Sequence, residues 1–288
     1  MSHSNETKSA TYTPGHSQNA IDFMSRRTLA GHGEFFMAHL RPGLCVLDCG
    51  CGPGSMTVDI ATCIGNGRVV GTDFAGTQVA LARKIATRRG VKNAEFRVAD
   101  VYSLPFENNT FDRIFSHALM EHLSDPVSAM REMLRVLKPG GVIGVCSPDW
   151  GGFVLSPHSD SLTAAVAAYT NLQSQNGGDV NVGRKLGMHL AVAGFEDGQM
   201  SARYENYANL TVIGGYLALQ LDRAGDLSSA ATFRDWSRQP GGLFALCWIA
   251  CVAHKPTNTE SQKTSVRSEE NCEYRSEHRM EPTGRQVS

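Results

Sequence analysis

Short apolar runs alternate with stretches of helical periodicity between residues 44 and 150. The runs are five to eight residues long, as buried strands are. They are "LCVLD" (44–48), "RVVGTD" (68–73), "AEFRVAD" (94–100), "FDRIFSH" (111–117) and "GVIGVCSP" (141–148). Helices are predicted between them, over about 55–63, 76–89 and 125–138. The alternation predicts an α/β fold with a parallel sheet covered by helices on both faces.

The flanking segments carry weaker patterns. Residues 18–40 repeat apolar positions at helical spacing and predict an N-terminal helical segment. After Trp150, helices are predicted over 161–173 and 183–195 and strands over 195–207 and 242–255, with a helical insert at about 208–238. This insert either covers a pocket as a lid or wall, or only packs against the rest of the domain. The pattern does not distinguish these two alternatives.

Composition indicates one globular domain. The 288 residues are 41% hydrophobic and carry a net charge of −1, which argues against a dedicated nucleic-acid binder. We expect a flexible N-terminal arm over 1–17, a main domain over 18–254 and a disordered tail over 255–288, because the tail is polar with almost no aliphatic residues. No apolar window approaches the roughly 18 residues of a membrane span, and the polar N-terminus lacks a signal-like apolar stretch. A cytoplasmic location follows as the expectation.

A glycine-rich loop, "DCGCGPG", follows the first predicted strand. Its candidate ligands are a phosphate, a metal ion and a nucleoside. Its glycines are spaced G-x-G-x-G (Gly50, Gly52, Gly54), which departs from the G-x-G-x-x-G of dinucleotide-binding loops and disfavours a nicotinamide oxidoreductase. Cys49 and Cys51 lack the further ligands of a tetrahedral zinc site, so no metal is expected. Asp73 ends the second strand, where a carboxylate that binds ribose hydroxyls is usual.

The chain resembles the class I S-adenosylmethionine-dependent methyltransferases, in particular their ubiquinone/menaquinone-biosynthesis-like small-molecule branch. The motifs that carry the resemblance are "VLDCGCGPG", "VVGTD", "ADVYSLPFENNTFDRIFSHALMEHLSDP" and "LRVLKPGG", in this order between Leu44 and Val145. The resemblance implies a Rossmann-like, seven-stranded, mostly parallel sheet of order 3-2-1-4-5-7-6 with an antiparallel last strand. Beyond Trp150 the resemblance is thinner.

The resemblance also implies S-adenosylmethionine as the cofactor and a set of residues around it. The methionine part would contact Asp48, Gly50 and Gly52, and the ribose Asp73. The adenine would contact Asp100, with Val101 nearby and Phe74 as an apolar wall, and His117 lies where the family presents backbone to the cofactor. The alternative is that Asp48 and Asp100 only accept hydrogen bonds from loop N–H groups and that Phe74 belongs to the core.

The acceptor side is less defined. We expect the methyl acceptor to contact Tyr12, His16 and Arg27 of the N-terminal segment and Asp149 and Trp150 of "SPDWGGF", a predicted loop after the fifth strand. Tyr12 and His16 either close over the cofactor or belong to an arm that docks for stability alone. "SPDW" follows the wrong strand for the similar motif of nucleic-acid base methylases, so a nucleic-acid partner is not expected.

A general base is needed only if the acceptor loses a proton. The candidates are His122, Glu121, His117, Asp149 and His16, and His122 is chosen because histidine titrates near neutrality. The leading hypothesis is methyl transfer to a small molecule, a secondary metabolite or quinone-like acceptor, by in-line displacement. The alternative is a non-catalytic S-adenosylmethionine-binding regulator or scaffold. The sequence leaves the oligomeric state open.

Overall fold

The strands assemble into one sheet of order β3-β2-β1-β4-β5-β7-β6 in the computed structural model, which describes residues 18–257. They are β1 (Cys45–Cys49), β2 (Arg68–Asp73), β3 (Ala94–Val98), β4 (Phe111–His117), β5 (Leu137–Ser156), β6 (Glu196–Asn206) and β7 (Leu243–His254). β1 to β5 are parallel, and β7 lies antiparallel between β5 and β6. The predicted α/β class and strand order are confirmed.

Helices connect most of the strands. They are α1 (Gln18–Ser25), α2 (Leu29–His32), α3 (Glu34–Met37), α4 (Ser55–Cys63), α5 (Gly76–Arg88), α6 (Pro126–Val136), α7 (Asp160–Gln175), α8 (Leu186–Ala193), α9 (Leu210–Arg223) and α10 (Leu227–Trp236). The predicted N-terminal segment is broken into three short helices. Thr28 begins a new helix by accepting the N–H of Gly31 (3.1 Å), and the chain turns again at Gly33, where a Cβ would lie 2.6 Å from Leu29.

Alternate residues of the central strands pack on opposite faces of the sheet. Val46 and Val69 join the cluster that holds Phe36 of α3 and Ile60 of α4. Their neighbours Leu47 and Val70 join a second cluster with residues of α6 and α8. Both faces are therefore buried, as the continuous apolar runs predicted.

The fifth strand is longer than predicted. β5 continues past Pro148 to Ser156 because its second half pairs with β7, with a register shift between Asp149 and Val154. "SPDWGGF" is therefore part of an irregular strand, and its prediction as a loop is wrong. The shift takes up Gly151 and Gly152, as a local bulge would.

Two helices, α9 and α10, occupy the connection between β6 and β7 that was predicted as a helical insert. Lys255 is hydrogen-bonded through its backbone to Gly141 and through Nζ to Asn109, so the ordered chain extends past the predicted start of the tail. The predicted arm over 1–17, with Tyr12 and His16, and the tail from 258 lie outside the described residues. Among the helices of residues 18–257, none has the length and apolarity needed to cross a membrane.

Candidate active site

A cavity of about 660 Å³ opens at the carboxyl ends of the parallel strands. This is the edge at which open α/β sheets bind their ligands. One part is lined by the glycine loop and by the residues that follow β2 and β3. The other is lined by aromatic side chains of α1, β5, α7, α9 and β7 and of the residue after β6, and we call it the aromatic chamber. Its rings are Phe23, Trp150, Tyr169, Tyr207, Tyr216, Phe244 and Trp248.

In the glycine loop, Gly52 has free space where a side chain would lie, whereas Gly54 is closely packed. Gly50, Gly52 and Gly54 all have positive φ, at 73°, 52° and 79°. A Cβ at Gly54 would lie 2.7 Å from the Cβ of Ala82, so this glycine lets α4 approach α5 closely. A Cβ at Gly52 would meet nothing within 4 Å, and Gly52 lines the cavity. The space beside Gly52 is thus left for a ligand.

Asp73 holds the loop in this shape. One carboxylate oxygen accepts the N–H of Gly52 (2.9 Å) and the other accepts the N–H of Ala75 (2.9 Å). The side chain also lines the cavity. A carboxylate at the cavity wall is an acceptor of the kind that binds the hydroxyls of a sugar.

The mouth of this part of the cavity carries Phe74, Asp100 and Val101. Phe74 is 79% exposed, so the alternative that it belongs to the core is wrong. Asp100 accepts a hydrogen bond from the N–H of Tyr102 (2.9 Å) through one oxygen, which is the loop contact considered as the alternative to ligand binding. Asp100 also lines the cavity. An uncovered aromatic ring beside a carboxylate fits a purine with an exocyclic amine.

Asp48 lies beneath the loop and does not line the cavity. It accepts a hydrogen bond from the hydroxyl of Thr57 in α4 (2.5 Å). Burial raises the pKa of this carboxyl to about 7, with a smaller contribution from the charge of Asp73. Asp48 therefore joins β1 to the first turn of α4, and a direct ligand contact does not follow from its position.

Glu121 lies in the turn after β4 and lines the cavity. Its Oε2 accepts a hydrogen bond from the hydroxyl of Ser147 on β5 (2.9 Å). Burial raises the pKa of Glu121 to about 7, although the Ser147 hydrogen bond and the charge of Arg27 act in the opposite direction. This carboxyl can take up and release a proton near neutral pH.

His122, the predicted base, also lines the cavity, and its Nε2 lies 3.7 Å from Oε1 of Glu121. Burial lowers the pKa of His122 to about 3, and the positive charge of Arg27 lowers it further. A ring with so low a pKa is a weak proton acceptor. Both residues line the cavity, and the higher pKa of Glu121 favours it over His122 as the proton acceptor.

His117 is only 4% exposed and stacks on the indole of Trp248, with ring centroids 4.7 Å apart. Within residues 18–257, neither of its ring nitrogens has a hydrogen-bond partner. Burial lowers the pKa of His117 well below its usual value, and the charges of Arg27 and His32 add to this effect. The neutral ring thus keeps one donor and one acceptor at the cavity wall.

A chain of hydrogen bonds lies beside this ring. The Tyr207 hydroxyl donates to one carboxylate oxygen of Glu205 (3.1 Å), and Nε2 of His32 lies 3.2 Å from the other. Nδ1 of His32 accepts the N–H of Thr28 (3.2 Å), which places the ring proton on Nε2. Burial alone would raise the pKa of Glu205, but its bond with His32 and the nearby charges lower the pKa below its usual value.

Of the described residues that were predicted to contact the acceptor, two line the cavity and one does not. Arg27 and Trp150 line the cavity. Asp149 does not, because both of its carboxylate oxygens bind the guanidinium of Arg184 (2.5 and 2.7 Å). Its prediction as an acceptor contact or base is therefore not supported by its position.

Sequence reasoning missed Tyr207, Glu205 and Trp248. A usable signal existed for the first two, since β6 runs parallel to β5 and its carboxyl end meets the same edge of the sheet. Trp248 lies inside a continuous apolar run, where the pattern does not distinguish a cavity wall from the core.

Comparisons with known proteins agree with this geometry. A family model described as a methyltransferase domain matches residues 40–199. An uncharacterized methyltransferase of Schizosaccharomyces pombe is 38% identical over 104 residues, which cover 34% of this chain and 37% of that protein. The ubiquinone/menaquinone biosynthesis C-methyltransferase of Bdellovibrio bacteriovorus is 37% identical over 100 residues, covering 35% of this chain and 42% of that protein. The match thus spans less than half of either relative.

Among solved structures, the [4+2]-cyclase SpnF aligns with a TM-score of 0.52 at 24% identity, over 83% of this chain and 80% of its own. A likeness at this level of identity concerns the fold. The family model, in contrast, covers more than half of the chain and includes the glycine loop, Asp73, Asp100 and the turn after β4. The chain therefore belongs to the family of methyltransferase domains.

Proposed function

We propose that this protein transfers a methyl group from S-adenosylmethionine to a small molecule, a secondary metabolite or a quinone-like acceptor. The observation that carries the proposal is the shared cavity. The glycine loop, Asp73 and Asp100 line one part of it, and the aromatic chamber adjoins them. A nucleoside cofactor and a flat apolar acceptor would meet where the two parts join.

The residues of the first part have the chemistry to hold the cofactor. Asp73 would accept hydrogen bonds from the two ribose hydroxyls, and Asp100 would accept one from the adenine amine. Phe74 would cover a face of the adenine, and this contact would account for the exposure of its ring in the protein alone. Gly52 would leave room for the methionine part, because no side chain fills that space.

When bound, the cofactor would supply a methyl group attached to a positively charged sulfur. A lone pair of the acceptor would form the new bond to this methyl group, and the sulfur would keep the electron pair of the broken C–S bond. The protein's contribution is to align the acceptor and to exclude water. Holding two reactants in near-attack geometry can contribute about 7–11 kcal/mol. The apolar walls of the aromatic chamber suit this role, since they fix a flat molecule without competing for its lone pairs.

An acceptor hydroxyl must also lose its proton. Glu121 is the residue we assign to this step, since its carboxylate lines the cavity and its pKa of about 7 leaves a large ionised fraction at neutral pH. Ser147 holds the carboxylate in place. In this scheme His122 is a neutral neighbour that packs against Glu121.

The relatives support a small acceptor without identifying it. One matched protein is named as a C-methyltransferase of ubiquinone and menaquinone biosynthesis, which is consistent with a quinone-like ring. The structural neighbour named as a [4+2]-cyclase illustrates that one fold hosts several reactions, so the product has to be identified directly.

The test is to incubate the protein with S-adenosylmethionine that carries a deuterated methyl group, together with fractionated metabolite extracts. We expect S-adenosylhomocysteine and a new metabolite that contains the deuterated methyl, and neither with Asp73→Ala. Tight cofactor binding with no labelled product from any fraction would contradict methyl transfer and favour the non-catalytic scaffold.

A further inference from the structure

Arg27 places a positive charge at the wall of the aromatic chamber. Its guanidinium carbon lies 5.1 Å from the ring centre of Trp248 and 5.9 Å from that of Phe23, and the residue lines the cavity. Within residues 18–257, Arg27 takes part in none of the salt bridges. A guanidinium on aromatic rings without a carboxylate partner is a ready site for an anion.

Two acidic residues, Glu205 and Glu121, lie near enough to feel the charge of Arg27, and both accept hydrogen bonds from other side chains. Glu205 accepts hydrogen bonds from Tyr207 and His32, which take one carboxylate oxygen each. Glu121 accepts a hydrogen bond from the hydroxyl of Ser147. The charge of Arg27 lowers the pKa of both carboxyls from a distance, but neither lies within salt-bridge distance of its guanidinium, so the hydrogen-bonding groups of Arg27 remain available to a ligand.

His117 adds an independent observation. It is buried, it lines the same chamber, and both of its ring nitrogens are without a partner among the described residues. Leaving a buried polar group unpaired costs about 1–3 kcal/mol, so such a group indicates a ligand that satisfies it. His117 and Arg27 both contact the ring of Trp248, which brings the unpaired imidazole and the unpaired cation to one wall.

We propose that the methyl acceptor is a flat, mostly apolar molecule that carries an oxyanion, a carboxylate or a phenolate, bound by Arg27 while His117 hydrogen-bonds a neighbouring polar group. The inference rests on the proposed function and specifies its substrate class. The oxyanion is the recognition group and pairs with the guanidinium. The aromatic side chains of the chamber hold the apolar body of the acceptor.

The experiment compares anionic probes with neutral partners of the same shape by calorimetric titration, with and without S-adenosylhomocysteine. The carboxylate pairs are benzoate with benzamide and 2-naphthoate with 2-naphthamide. The phenolate pair is 4-nitrophenolate with 4-nitroanisole. We expect the wild type to prefer at least one anion over its neutral partner by about tenfold or more, and the preferred pair identifies the source of the oxyanion.

The variants are Arg27→Gln, which should abolish the preference, and Arg27→Lys, which should restore part of it. Arg26→Gln is the matched control, because Arg26 is exposed, adjacent, outside the cavity lining and equal in charge. The melting temperature of each variant shows whether it folds. The inference is wrong if no anion is preferred by the wild type, or if the preference survives in folded Arg27→Gln.

The two proposals fail in different ways. If S-adenosylhomocysteine does not bind the wild type, the proposed function is wrong, whereas the titrations without it still decide the anion preference. If S-adenosylhomocysteine binds and the anions are not preferred, the cofactor assignment stands and the acidic acceptor is excluded.

Discussion

The carboxylate of Glu121 accepts a hydrogen bond from the hydroxyl of Ser147 at 2.9 Å, which ties the turn after β4 to β5 at the cavity wall. Replacing Glu121 with Gln keeps the shape and removes the proton acceptor. We expect kcat/KM to fall by about 10²–10⁴-fold. The wild-type rate should rise with pH through about 7, as the carboxyl ionises, and this rise should be absent in Glu121→Gln.

Ser147→Ala provides the control for this assignment. The Ser147 hydrogen bond lowers the pKa of Glu121, so its removal should move the rising limb of the pH profile to higher pH. A variant Glu121→Gln that keeps the wild-type pH profile would show that another group accepts the proton.

Asp73→Ala should abolish cofactor binding and leave the fold intact. The variant loses the acceptor for the N–H groups of Gly52 and Ala75 and both proposed contacts to the ribose hydroxyls. Hydrogen bonds to a charged group contribute about 1.5–3 kcal/mol each, so we expect a loss of affinity of about 10²-fold or more. Calorimetry with S-adenosylhomocysteine measures the affinity, and circular dichroism checks the fold. Unchanged affinity would refute the placement of the ribose.

Gly52→Ala and Gly54→Ala should separate binding from stability. In Gly52→Ala the new methyl group would have open space around it and would carry only the cost of positive φ, about 1–2 kcal/mol, but it would intrude on the ligand. In Gly54→Ala the new methyl group would collide with Ala82 and Phe96, at 2.7 and 2.9 Å. We therefore expect weaker cofactor binding from the first substitution and the larger drop in melting temperature from the second. Equal melting temperatures would argue against the packing assigned to Gly54.

Asp48→Asn tests the buried carboxyl beneath the glycine loop. Burial raises the pKa of Asp48 to about 7 in the folded protein, above the value near 4 of an unfolded chain. Between these values the folded state binds more protons, so the free energy of unfolding contributed by Asp48 falls as pH rises through this window. The stability of Asp48→Asn relative to wild type should therefore increase by about 2–4 kcal/mol as the pH rises from 4 to 8.

The comparison is made by denaturant unfolding of both proteins at several pH values. Because Glu121 titrates in the same range in both proteins, the difference between them isolates Asp48. A difference in stability that does not change with pH would show that this carboxyl is not protonated near neutrality.

The parallel half of the fold was predictable because its signals are local. β4 and α4 begin and end at the predicted residues, since each is bounded by glycine, polar or capping residues that act within one turn. The N-terminal segment is helical as predicted, but its division into three helices was not anticipated. Its apolar spacing continues through Thr28, and only the cap that Thr28 provides for Gly31 reveals the break.

The meeting of Gly52, Asp73 and Asp100 in one cavity was likewise predictable, whereas the aromatic chamber was not. Gly52, Asp73 and Asp100 each follow a strand end, so sheet topology alone brings them together. Asp149 was misassigned because its partner, Arg184, lies 35 residues further along the chain. Trp248 and Tyr216 reach the chamber only through the placement of β7 and the packing of α9, which no local pattern encodes.

The position of β7 between β5 and β6 also bears on how the cavity can be assembled during synthesis. The glycine loop, Asp73 and Asp100 lie on strands that pair with partners earlier than residue 120, so they can associate while the rest of the chain is still being synthesised. Phe244, Leu246 and Trp248 join the cavity only when β7 inserts between two strands that precede it. The wall at the glycine loop can thus form before the aromatic chamber, which is complete only with the last strand.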